Sequence, residues 1–151
     1  LVANPVGNPE QKGNGLTTSP DGKYFYALDT GASTATAKDP LGVRTITKYN
    51  IVDDNSLTQP RILASPLSYI WDGIRASRGG WIVAAASEGV DIVDPVSGLT
   101  LGTFHVGQNV TAVNIAFRPG GYIYVVGKGG AWEIKAKEEF AWDDARYTGQ
   151  Y

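Results

Sequence analysis

The sequence predicts an all-β fold built from repeated small antiparallel sheets, and three observations carry that prediction. One strand–turn–strand pattern is written three times along the chain. Short apolar runs are broken at close intervals by Gly, Pro, Asn and Asp. Glycine is also abundant, at 19 of 151 residues, about 13% against a usual ~7%, which favours many turns.

The pattern is clearest in its first copy, where Asn14-Gly15-Leu16-Thr17-Thr18 leads into Ser19-Pro20-Asp21-Gly22 and then Lys23-Tyr24-Phe25-Tyr26-Ala27-Leu28-Asp29-Thr30. Pro presets φ for a turn and Asp-Gly supplies the turn chemistry, so a hairpin is predicted. The second copy runs from Asp72-Gly73-Ile74 through Gly79-Gly80 to Trp81-Ile82-Val83-Ala84-Ala85-Ala86. The third runs from Asn114-Ile115-Ala116-Phe117 through Pro119-Gly120-Gly121 to Tyr122-Ile123-Tyr124-Val125-Val126. Each copy opens on a small polar residue: Asn14, Asp72 or Asn114.

Taken in order, residues 1–13 carry two Asn-Pro pairs and read as loop. The first repeat covers about 14–65. Its hairpin is followed by a polar connection from Gly31 to Gly42, read as an exposed loop. Val43–Ile51 alternates apolar and polar side chains, the period of a half-buried strand. Asp53-Asp54-Asn55-Ser56 reads as a turn, and a short edge strand starts at Pro60, where proline is tolerated. The second repeat, about 66–107, has strands at Gly73–Ala76, Trp81–Ala86, Val90–Val93 and Leu99–Val106. The third, about 113–137, has strands at Asn114–Phe117, Tyr122–Val126 and Ala131–Ile134, and no fourth strand. Glu138–Asp144 and a polar tail follow.

The repeat openers lie 58 and 42 residues apart, the first interval being lengthened by the Gly31–Gly42 insertion. Four short strands every 40–50 residues or so is the signature of a β-propeller blade. Three blades alone would leave exposed sheet faces and unpaired edges. The expectation is therefore about three blades, half of a six-bladed β-propeller. The missing last strand would come from chain outside this sequence. A small β-sandwich of three hairpins is the competing architecture.

Composition narrows the function classes. Net charge is −2, so no basic face stands out and nucleic acid is not an expected partner. No apolar run approaches the ~18 residues needed to cross a membrane, so none is expected as a partner either. No signal peptide is visible in the sequence given. Cysteine is absent, which excludes disulfides, thiolate metal sites and a cysteine nucleophile within this chain. The compartment stays open, a secreted one being favoured. Methionine is absent too, even at position 1, which points to a processed chain or an internal fragment.

In a propeller the first strand of each blade lines the central channel. Asn14, Asp72 and Asn114 would then converge at one mouth. One carboxylate and two amide oxygens form a hard-oxygen set, suited to a divalent cation such as Ca²⁺. The alternative is that Asn-Gly and Asp-Gly are turn formers.

These residues resemble the SMP-30/gluconolactonase (regucalcin-like) family over about 13–135, with insertions similar to its fungal lactonohydrolase branch. The likeness rests on Asn14-Gly15-Leu16 with Ser19–Lys23 and Tyr26–Thr30, and on Trp71-Asp72-Gly73-Ile74 with Gly79–Ala85 and Gly89-Val90-Asp91-Ile92-Val93-Asp94-Pro95. Its third part is Val113–Phe117 with Tyr122–Val126. The resemblance implies a six-bladed propeller that hydrolyses sugar lactones or related lactones, with one divalent cation at the channel mouth. Ca²⁺ is the favoured ion, with Zn²⁺ and Mg²⁺ as alternatives. It implies metal ligation by Asn14 and Asp72. A Glu completing the set, and a further substrate-binding Asn, would lie in an N-terminal half outside this chain. That half is the expected partner, as a separate or cleaved polypeptide.

Asp72 would also be the catalytic base, while the cation polarises the lactone carbonyl. Tyr69 and Trp71 are candidates for the pocket wall, with packing between blades as the other reading. Asn114 is a candidate contact to substrate. A non-catalytic binding or scaffold propeller and a strictosidine synthase-like propeller enzyme are the alternative functions. His105, the only histidine, is placed on an outer strand at the surface. Gly127-Lys128-Gly129-Gly130 reads as a hairpin turn, lacking the full spacing of a phosphate loop. Asn109-Val110-Thr111 is an N-glycosylation acceptor pattern, relevant to a secreted protein.

Overall fold

The computed structural model describes residues 12–31, 42–53 and 55–137. Among these residues the regular structure is three antiparallel sheets, with no helix. The first sheet runs in the order β1 (Gly13–Thr18), β2 (Tyr24–Asp29), β3 (Thr45–Ile51), β4 (Leu57–Ala64). The second is β5 (Trp71–Ala76), β6 (Ile82–Ala86), β7 (Gly89–Val93), β8 (Thr100–His105). The third has three strands, β9 (Thr111–Arg118), β10 (Tyr122–Lys128) and β11 (Gly130–Lys135). Most of the expected N-terminal loop, the body of the Gly31–Gly42 insertion and the segment from Glu138 onward lie outside the described residues.

The hairpin turns follow from local chemistry. Ser19 closes the first one four ways. Its N–H donates to the Tyr24 carbonyl at 2.9 Å, and its carbonyl accepts from the Gly22 N–H at 3.0 Å. Its Oγ accepts from the Tyr24 N–H at 3.0 Å and donates to Asp21 Oδ1 at 2.6 Å. The second hairpin repeats the backbone part of this arrangement, from Ser77 N–H to the Trp81 carbonyl and from Gly80 N–H to the Ser77 carbonyl. Gly22 and Gly80 take φ of 72° and 88°, a region that penalises any Cβ.

Packing between sheets explains why strand patterns differ along the chain. Tyr26, Leu28, Ile46 and Ala64 of the first sheet bury against Trp71, Ile74, Ile82, Ala84, Ala86 and Val93 of the second. The opposite face of the second sheet, with Val83, Ala85, Val90 and Ile92, buries against Ala112, Ile115, Ile123 and Val125 of the third. A sheet covered on both faces reads as a continuous apolar run rather than an alternation. Ile82-Val83-Ala84-Ala85-Ala86 is such a run, every residue of it buried. β1 packs against β5 and β5 against β9, so the first strands of successive sheets are neighbours.

Three strands start two or three residues earlier than expected: β5 at Trp71 rather than Gly73, β9 at Thr111 rather than Asn114, and β4. β4 starts at Leu57 rather than at Pro60, and Pro60 lies inside it. Register slips there, with Lys48 opposite Arg61 but Asn50 opposite Thr58. Gln59 takes φ of 51°. A bulge on an edge strand absorbs the missing proline N–H, so the strand continues through it.

Candidate active site at the inner-strand bulges

Each first strand carries an irregularity near its start. In β1, Gly13 pairs with Asp29 and Leu16 with Ala27, so Asn14 and Gly15 together oppose Leu28. In β5, Trp71 pairs with Ala86 and Ile74 with Ala84, so Asp72 and Gly73 together oppose Ala85. These are equivalent bulges, two residues against one, and a bulge re-aims the side chains it contains. In β9, Ala112 pairs with Gly127 and Asn114 with Val126, leaving Val113 as the extra residue. Aligned on the bulge, Asn14 and Asp72 occupy the same position, while Asn114 occupies the position of Gly15 and Gly73. The three openers are thus not strict equivalents, because the third bulge falls one residue earlier relative to its Asn.

Gly15 and Gly73 sit within strands, not in turns, and close approach explains them. A Cβ on Gly15 would come within 2.7 Å of the Asp72 carbonyl oxygen and of the Ile74 nitrogen. A Cβ on Gly73 would come within 2.8 Å of the Val113 carbonyl oxygen and of Asn114 Oδ1. Glycine lets three first strands converge, and that convergence draws the polar side chains together. Asn14, Asp72, Arg75 and Asn114 line one concavity of about 430 Å³ with Leu16, Val113 and the two glycines. That volume is in the range of small-molecule sites.

Within it Asp72 is half-buried. Burial pushes its carboxyl above the ordinary aspartate value, and a hydrogen bond from the Asn14 side chain opposes the shift. Asn114 Oδ1 accepts from the Ile115 N–H at 2.9 Å. Arg75, which the sequence reading passed over, donates from Nη1 to the Ile74 carbonyl at 2.7 Å. It sits three residues past Asp72 on the same strand. A single charged residue in a strand looks like a solvated face, and only the convergence of β1, β5 and β9 makes it a wall of the concavity.

The two aromatic candidates lie elsewhere. Trp71 is a core residue, 1% exposed, packed between the first and second sheets. Its Nε1 donates to Asp91 Oδ2 at 2.7 Å. It therefore takes the packing role and does not form the pocket wall: on the strand just before the bulge its side chain enters the core. Tyr69 is half-buried ahead of β5. Its carbonyl accepts from Arg44 Nη1 at 2.8 Å, and the Arg44 guanidinium stands 5.1 Å from its ring centre.

His105 ends β8 with its side chain exposed, 3.9 Å from Glu88. Gly127 pairs with Gly130 across a tight hairpin. At the Asp53–Asn55 turn the Asn55 N–H donates to the Val52 carbonyl at 2.7 Å.

Among the described residues no group of three or more His, Cys, Asp and Glu could hold a metal. The concavity offers one carboxylate and two amide oxygens. These are the oxygen donors Ca²⁺ and Mg²⁺ take, but fewer than the six to eight of a filled Ca²⁺ shell. In type they fit such an ion; in number they are part of a site.

Comparison with known proteins places the chain. No family model matches it. A lactonohydrolase of Aspergillus oryzae, OryL, is 33% identical over 137 residues, a match covering 81% of this chain and 31% of that protein. A second lactonohydrolase of Aspergillus oryzae, OryH, is 30% identical over 120 residues, covering 69% of this chain and 24% of that protein. A gluconolactonase structure from Xanthomonas campestris superposes with a TM-score of 0.67 at 27% identity, over 82% of this chain and 37% of that one.

These lactonohydrolases and gluconolactonases are what the chain is similar to, and they support the resemblance to the SMP-30/gluconolactonase family. A second structure described as a gluconolactonase has a TM-score of 0.66 at 25% identity, over 82% of this chain and 38% of that one. The chain spans less than a third of the length of these Aspergillus relatives and under two fifths of the gluconolactonase structures. Its three sheets correspond to part of a gluconolactonase-type propeller.

Proposed function

We propose that this chain supplies three blades, the C-terminal half, of a six-bladed propeller that hydrolyses a lactone. The observation that carries the reading is the meeting of Asn14 and Asp72. They are 58 residues apart in sequence, yet stand at equivalent bulges and line one concavity. The gluconolactonase and lactonohydrolase relatives support the reaction class. The N-terminal half, on a separate or cleaved chain, is the proposed partner and the source of the remaining ligands.

In this reading Asp72 and Asn14 hold a divalent cation, Ca²⁺ by preference. Such an ion supplies electrophilic activation of the lactone carbonyl. Asp72 accepts the proton of the attacking water. The Asn14 amide holds the carboxylate in one orientation. Asn114 and the apolar wall at Leu16 and Val113 confine the substrate beside it.

The test is made on the full-length protein with gluconolactone. Asp72→Asn should lower kcat by about a hundredfold or more, the usual worth of a positioned base. Chelation should abolish turnover and added Ca²⁺ restore it. Full activity in excess chelator would remove the cation from the reading, and full activity of Asp72→Asn would remove the site.

A further inference from the structure

We propose that Arg75 is a specificity residue that holds an anionic group of the substrate, so that the preferred lactones carry a carboxylate. The inference deepens the lactone-hydrolase reading and rests on it.

Arg75 is half-buried and lines the same concavity as Asp72. A guanidinium has five N–H donors in a planar fork, and the structure gives Arg75 one fixed partner, the Ile74 carbonyl. Among the described residues no carboxylate lies within ion-pair distance of it. Asp72 does not neutralise it, since no ion pair joins the two side chains. The rest of the wall is uncharged, being the amides of Asn14 and Asn114, Leu16, Val113 and two glycines.

Spacing gives the contact its selectivity. Arg75 stands three residues past Asp72, beyond the bulge at Asp72-Gly73, and the two charges are not paired. A ring opened beside Asp72 would therefore present a remote substituent to the guanidinium, not the carbonyl under attack. A planar fork matches a carboxylate through two parallel hydrogen bonds. A site built for a charge discriminates against the analogue lacking it.

The full-length protein is assayed with glucarolactone, which bears a free carboxylate, and with gluconolactone, which does not. Arg75→Gln should raise KM for glucarolactone about tenfold or more beyond whatever change it makes to KM for gluconolactone. Arg75→Lys should recover part of the loss, keeping the charge without the fork. Equal losses on both lactones would mean that Arg75 holds the fold or pairs with an acid of the remaining blades, and would overturn the proposal. No loss on either would do the same. Both results leave the hydrolase reading standing if the unmodified protein turns over gluconolactone. Should it hydrolyse neither lactone, binding of glucarate and gluconate by calorimetry decides the matter without turnover. A glucarate affinity at least tenfold tighter than that of Arg75→Gln supports the role, and equal affinities reject it.

Discussion

A methyl group on residue 73 would have to share space with the Val113 carbonyl and with Asn114 Oδ1, both 2.8 Å from where it would stand. One of those contacts is backbone, so strand β9 itself must move. Gly73→Ala should destabilise the protein by about 1–3 kcal/mol through overpacking, and should also displace Asn114 from the concavity. Gly102→Ala is the control, since a Cβ there meets nothing within 4 Å. Urea midpoints that fall for Gly73→Ala and hold for Gly102→Ala bear this out; matching midpoints contradict it. At this scale the sequence was legible where a residue's neighbours are local. Asn14 and Asp72 stand out because each precedes a glycine and opens a repeat. The one-residue offset of Asn114 is invisible, because Val113 is the extra residue only with respect to β10, the strand it pairs with. Arg75 was missed for a related reason: its environment is made by two other sheets.

At the scale of elements, the second sheet is held by a polar link through its interior. Trp71 on β5 donates to Asp91 on β7, and Thr103 on β8 donates from Oγ1 to the other oxygen of Asp91 at 2.5 Å. Asp91 is 3% exposed, so its carboxylate depends on these donors. Trp71→Phe keeps one aromatic ring but removes the five-membered ring of the indole and with it the donor. It should cost about 1–3 kcal/mol of stability, seen as a lower urea midpoint, with KM for lactone unchanged. A raised KM with the midpoint intact would return Trp71 to the pocket. The strand pattern itself was readable because turn residues delimit each run and because two-sided burial leaves its mark in the run from Ile82 to Ala86. The start of β4 was not, because proline argues against a strand unless a bulge is known to sit beside it.

At the scale of the whole molecule, the three sheets differ in how well they are covered. The second is packed on both faces. The third has three strands where the others have four, so among the described residues it ends at β11, one strand short of the edges that β4 and β8 form. Along the first strands, Leu16 is 60% exposed and Val113 41% exposed, both in the concavity where a propeller channel would be closed by further blades. The repeat spacing made the architecture legible, since a blade is a local unit. A ring is not local: repeat spacing marks each blade and not how many close the circle. Open edges and apolar first strands seek partners. The 151-residue chain produced alone should therefore run in light-scattering chromatography as species larger than its 16.1 kDa mass. Co-production with the remaining blades should replace them with one discrete particle holding one copy of each polypeptide. A stable 16.1 kDa monomer that unfolds cooperatively would show that these three sheets satisfy their own surfaces. The proposed two-part propeller would then have no physical basis in the exposed edge and channel strands.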